Sequence, residues 1–192
     1  MKYRAGEHIL SRAVAPAASP VSLVDMKAHL RVTSSSEDDV IQAYIDAAVA
    51  SLDAQGELGQ AIIAQTWDES FSQATRDVAL SIIPATALVS VTYYDTDNAQ
   101  QTADLADFAL YSGEFWAFVR SSNWPQVYDR PDAITIQYTA GMATVPAGLV
   151  HAIKLIVTHW YENRADVSEA KLADIPRGAA HLINMLRGGW YG

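Results

Sequence analysis

The chain has 192 residues, half of them hydrophobic and 18% charged, which is too apolar for a disordered chain and enough to bury a sizeable core, so we expect one compact unit with room for two lobes. Its formal charge of −9 and 13 scattered basic residues argue against a grip on nucleic acid phosphates, although a like-charged wall lets a polyanion pass without sticking. Cysteine is absent, which excludes disulfides, thiolate metal sites and a cysteine nucleophile, and points to folding inside a cell.

Residues 1–20 are rich in Ala, Ser and Pro without a clear period and read as an irregular arm. Glu7, His8 and Arg12 interrupt anything like the apolar core of a signal peptide. The stretch "SLVDMKAHLRV" predicts a short helix: Ser22 can cap its free amides, Asp25 stands three residues on, and Leu23, Met26 and Leu30 follow at helical spacing. After the loop "TSSSED" a second helix is predicted, with Ser36 as cap and Asp38 and Asp39 at its positive end. Val40, Ile41, Tyr44, Ile45, Ala48 and Leu52 form its apolar stripe, and Gly56 and Gly59 end it.

From about residue 61 the period becomes that of a strand. "AIIAQTWDESFS" reads as extended, "LVSVTYYD" places Val89, Val91 and Tyr93 on one face, and "DTDNAQ" supplies turn residues. "FALYSGEFWAFV" reads as two short strands joined around Ser112 and Gly113. "AITIQYTAG" alternates cleanly, with Ile134, Ile136 and Tyr138 inward and Thr135, Gln137 and Thr139 outward. Residues 61–142 thus form an antiparallel β insertion between a helical part at 21–60 and C-terminal helices at 143–192, an α+β fold with a small helical bundle.

The stretch "VPAGLVHAIKLIVTHWYENR" predicts a long helix with Pro146 in its first turn. Leu149, Val150, Ile153, Ile156, Val157, Trp160 and Tyr161 fall in one arc, the core face. "LVHAIKLIV" is far short of the roughly 20 apolar residues of a membrane span and contains Lys154. His151, Leu155 and His159 form a separate row, whose outer members stand about 12 Å apart along the axis, too far to ligate one metal ion. His159 and Glu162 make half of a metal site without a second pair at a convincing spacing. The row therefore suits a second packing surface, for a partner helix or another subunit, with Glu162 and Arg164 at its end.

The loop "ADVSEAKLAD" follows, and "PRGAAHLINMLR" is the last helix, with Ala179, Leu182, Ile183 and Leu186 as its apolar side and Gly188 and Gly189 as its stop. Beyond it, "GWYG" carries Trp190 and Tyr191, which either fold back on the chain or fill a groove on a partner. No hydrolase elbow, dinucleotide fingerprint or phosphate loop occurs. The carboxylate pairs Asp38 with Asp39 and Asp95 with Asp97 read as helix-start and turn residues.

The ordered set "PVSLVDMKAHLRV", "SSEDDVIQAYIDAAVASLDA", "AQTWDESF", "YTAG" with "VPAGLVHAIKLIVTHWYENR", and "IPRGAAHLINMLR" resembles the head-to-tail connector (adaptor) proteins of tailed phages. The similar branch has a β insertion between its helical parts, occurs also in prophages and gene transfer agents, and covers about residues 20–187. The resemblance implies a non-enzymatic virion protein without cofactor or metal, made in the bacterial host cytoplasm. It implies a homo-oligomeric ring, usually dodecameric, beneath the portal protein, which extends the DNA channel, binds no DNA specifically, and offers a surface to a stopper or tail-completion protein. His151, Leu155, His159, Glu162, Arg164, Trp190 and Tyr191 are then the expected subunit or partner contacts. The residues leave two other readings open. One is a small metal-dependent hydrolase using His151 or His159; the other is a ligand-binding module with an aromatic pocket near Trp116, Phe118 and Trp124, residues we otherwise assign to the β core.

Overall fold

The computed structural model describes residues 8–163 and 175–187. Helix α1 (Leu23–Leu30) begins as its sequence predicts: Ser22 Oγ accepts the Asp25 amide at 3.1 Å and donates its own proton to the Asp25 carboxylate at 2.7 Å. Helix α2 (Asp38–Leu52) differs at its start, where Glu37 and not Ser36 takes the cap position. No side chain caps it: Ser36 Oγ is hydrogen-bonded with Ser34 Oγ at 2.8 Å, while the Glu37 carboxylate accepts the Tyr161 hydroxyl. Asp38 meets Lys27 Nζ at 2.5 Å, tying the start of α2 to α1. The helix ends earlier than its glycines: Asp53, only 5% exposed, accepts the Ile62 amide at 2.8 Å, and Gly59 follows with φ at 68°.

Helix α3 (Ala147–Glu162) buries Leu149, Ala152, Ile153, Ile156, Val157 and Trp160, while Val150 and Tyr161 remain half-buried at the stripe's edges. Helix α4 (Arg177–Leu186) buries Ala179 and Ile183. These helices form one compact unit from Ala18–Ile62 and the described residues after Ala143, with Met26, Ile41, Ile45 and Leu52 completing its core. Burying such side chains stabilises by about 1.5–3 kcal/mol each, so packing and not helix propensity holds the short α1 and α4.

The other unit takes Ile63–Met142 and the described residues up to Ala17. Its five-stranded antiparallel sheet runs in the order β1 (Ile9–Val14), β2 (Gln65–Phe71), β8 (Ile134–Ala140), β4 (Ala85–Tyr94) and β5 (Gln100–Thr102). A second sheet has the order β3 (Asp77–Ala79), β7 (Ala117–Arg120), β6 (Ala109–Ser112), with β6 and β7 joined around Gly113. Ile134, Ile136 and Tyr138 point inward as the alternation predicts. Gly141 then ends β8 where a Cβ would come within 2.6 Å of the Ala64 backbone, so only glycine fits this crossing.

Two expectations differ from the structure. The arm read as irregular contains β1, which pairs with β2 from Ile9 opposite Ser70 to Val14 opposite Thr66. Its side chains stay largely exposed, so no inward–outward alternation marks it in the sequence. Val89 does not share a face with Val91, because a bulge between Leu88 and Ser90 turns it outward to 43% exposure while Val91 is fully buried.

Candidate functional site

The row on α3 divides. His151 is exposed and meets His29 of α1 edge to face, with ring centroids 6.4 Å apart. Partial burial, then the charges of Lys154 and His151, hold the His29 pKa below its ordinary value. Leu155 is half-buried because α4 covers it: its Cδ1 lies 3.7 Å from the position a Cβ on Gly178 would take. The second face of α3 therefore meets a helix of its own chain at this point. His159 is half-buried with its ring beside Asn163 Nδ2 at 3.3 Å, and Glu162 is exposed. Arg164, Trp190 and Tyr191, like Gly188 and Gly189, lie outside the described residues.

Among the described residues no three His, Asp or Glu side chains gather as metal ligands. The carboxylate pairs have local tasks. Asp95 accepts the amides of Asp97 and Ala99 at 3.0 Å each and the Gln101 side chain at 2.7 Å. The Gln101 bond, followed by the Ala99 amide, lowers its pKa. Asp38 answers Lys27 as described.

A buried polar network in the β unit was not anticipated. Glu69, fully buried on β2, accepts the Tyr138 hydroxyl at 2.9 Å, the Ser81 amide at 2.9 Å and Ser81 Oγ–H at 2.6 Å. His8 Nε2 stands 3.4 Å from Glu69 and 2.8 Å from Ser81 Oγ. Tyr138 also accepts the Ile82 amide at 3.0 Å, and burial, then the Glu69 charge, push its phenol pKa upward, so it remains a donor. Serine, histidine and glutamate together invite a catalytic reading, but the proton count opposes it. Ser81 gives its one hydroxyl proton to Glu69, so His8 is the donor toward Oγ, the reverse of the base a nucleophilic serine needs. The signal for this network was Glu69 itself, a charged residue at an inward position between Trp67 and Phe71.

The aromatics assigned to the β core stand elsewhere. Trp116, just before β7, and Phe118 on it alternate with buried Ala117 and Val119 and lie on the outer side, where Trp116 is 53% exposed. Phe118 stacks on Trp116 at 5.7 Å and on Tyr111 at 5.1 Å, and Arg120 lies 5.2 Å over both Tyr111 and Phe118. Asp77 fixes the Arg120 guanidinium through bonds of 2.6 and 3.0 Å. Trp124 instead meets Phe108 at 5.0 Å beside an open groove of about 760 Å³ that Trp116 and Phe118 do not line.

The fold has clear relatives. It matches a chain in the "Neck of empty GTA particle computed with C6 symmetry" with TM-score 0.75 and 19% identity, covering 93% of this chain and 95% of that one. A chain in the virion of a native gene transfer agent (GTA) particle matches with TM-score 0.71 and 22% identity, over 93% and 95% of the two chains. One in the "Neck of native GTA particle computed with C12 symmetry" gives 0.72 and 19%, over 93% and 94%. No curated protein matches the chain. The family model described as "Head completion protein" matches residues 21–171, which takes in helices α1 to α3 and the whole β span from β2 to β8. The chain belongs to the head completion protein family.

Proposed function

We propose that this virion head–tail protein is the adaptor that assembles as a ring beneath the portal, extends the DNA channel, and presents the surface on which a stopper or tail-completion protein docks. The observation that carries this reading is the family match over residues 21–171, joined to near-complete fold similarity with chains of gene transfer agent necks. Necks computed with C6 and C12 symmetry support a dodecameric ring here. The formal charge of −9 suits a channel wall that DNA passes without adhering.

On this reading the chain works by binding and not by catalysis. His151, His159 and Glu162 lie where α3 offers polar contacts, and Arg164, Trp190 and Tyr191 extend the proposed contact set. Leu155 contributes indirectly, by seating α4 through Gly178. No helix among the described residues is long and apolar enough to cross a membrane. No observation favours the hydrolase reading. Particles assembled with and without the protein, imaged at the head–tail junction, test the proposal: a ring present only in the first supports it, and identical junctions refute it.

A further inference from the structure

We infer that β1 is exchanged between neighbouring copies, each subunit's Ile9–Val14 pairing with β2 of the next. This rests on the ring reading above and names a contact that joins the subunits. The strand lies at the edge of the five-stranded sheet and pairs with β2 alone. It is also separated from β2 along the chain by Ala18–Ile62, a segment of the other compact unit. Residues 15–19 form neither helix nor strand and are mostly exposed, so little fixes the path by which β1 is delivered.

An element delivered this way can be traded for the identical element of a second copy without changing its contacts. The ladder from Ile9–Ser70 to Val14–Thr66 forms equally well with a neighbour's β2. So does the Arg12 guanidinium over Trp67 at 4.9 Å, and so do the His8 contacts to Ser81 and Glu69. Pro16 and Pro20 stiffen the connection and favour an extended path, and residues 15–20, ahead of buried Val21 and the capping Ser22, can reach roughly 20 Å when extended. In a closed ring the adjacent β2 is held at high effective concentration. Ile9 and Val14, at the two ends of β1, are 52% and 58% exposed on their own sheet, apolar surface that a chain crossing between subunits would cover.

The natural absence of cysteine makes the test direct. Ser11 and Asp68 stand opposite each other in the ladder, so Ser11→Cys and Asp68→Cys are placed on separate chains, mixed, assembled and oxidised. A disulfide joining the two chain types, and a ladder of multimers when one chain carries both changes, is the expected result. Assembled rings in which the double variant links only within each chain overturn the exchange and leave the ring reading intact. Internally linked monomers with no larger assembly overturn both. Asp68→Cys loses the Gln137 bond of 2.8 Å, so the opposed pair Val14→Cys and Thr66→Cys repeats the experiment should that variant not fold.

Discussion

Replacing Tyr138 with Phe removes a single oxygen from the centre of the β unit. That oxygen donates to Glu69 at 2.9 Å and accepts the Ile82 amide at 3.0 Å, and the side chain is fully buried. Losing a hydrogen bond to an ionised group costs about 1.5–3 kcal/mol, and stranding a buried amide costs about 1–3 kcal/mol. Ser81 still serves Glu69 through its amide and hydroxyl, which limits the first loss, so we expect about 3 kcal/mol in all. For a chain of this size that corresponds to a melting temperature lower by about 6–12 °C. Urea denaturation followed through Trp67, buried in the same unit, should show a lower midpoint with unchanged slope. A loss below about 0.5 kcal/mol would refute the account of Glu69 as a carboxyl group held by a closed set of donors.

Ile153→Asp should unfold the helical unit, since an unpaired carboxylate at a fully buried site costs several kcal/mol; Leu155→Asp, half-buried against α4, should cost only about 1–2 kcal/mol, as compared by thermal melting. Equal losses would show the faces of α3 to be wrongly assigned. Because the His29 pKa is lowered on folding, the unfolded chain takes up that proton first as pH falls below about 6.5, and stability declines there. Urea midpoints measured above and below that pH should show a flatter decline in His29→Gln than in the parent. Deleting residues 189–192 should weaken capture on portal-bearing capsids at least ~tenfold through loss of Trp190 and Tyr191 while leaving melting unchanged. Normal capture, or a lower melting temperature as the primary defect, would contradict their role as anchors.

What could be read from the residues depended on periodicity. Ser22 with Asp25, the alternation from Ile134 to Ala140 and the stripe from Leu149 to Trp160 each leave a local pattern, and each element forms where that pattern places it. Strand β1 leaves none, because it is held by a backbone ladder and by contacts to residues more than fifty positions away. The aromatics at β7 show a different limit. Alternation separates Trp116 and Phe118 from Ala117 and Val119, yet hydrophobicity alone assigns the larger pair to the core, and the structure does the opposite. Leu155 was legible as lying off the main stripe, but its neighbour Gly178 on α4 carries no periodic signal. Glu69 stands in the sequence as a charge between Trp67 and Phe71 but was not singled out there, and its partners Ser81 and His8 converge only through the fold.

The central claim is that this chain forms the ring between portal and tail. Cryo-electron imaging of particles from cells with and without an intact copy, averaged at the junction without imposed symmetry, tests it most directly. The account predicts a ring of density beneath the portal whose subunits fit this fold, and its loss, with tails unattached, when the chain is missing. Tailed particles with an unchanged junction in its absence would contradict it.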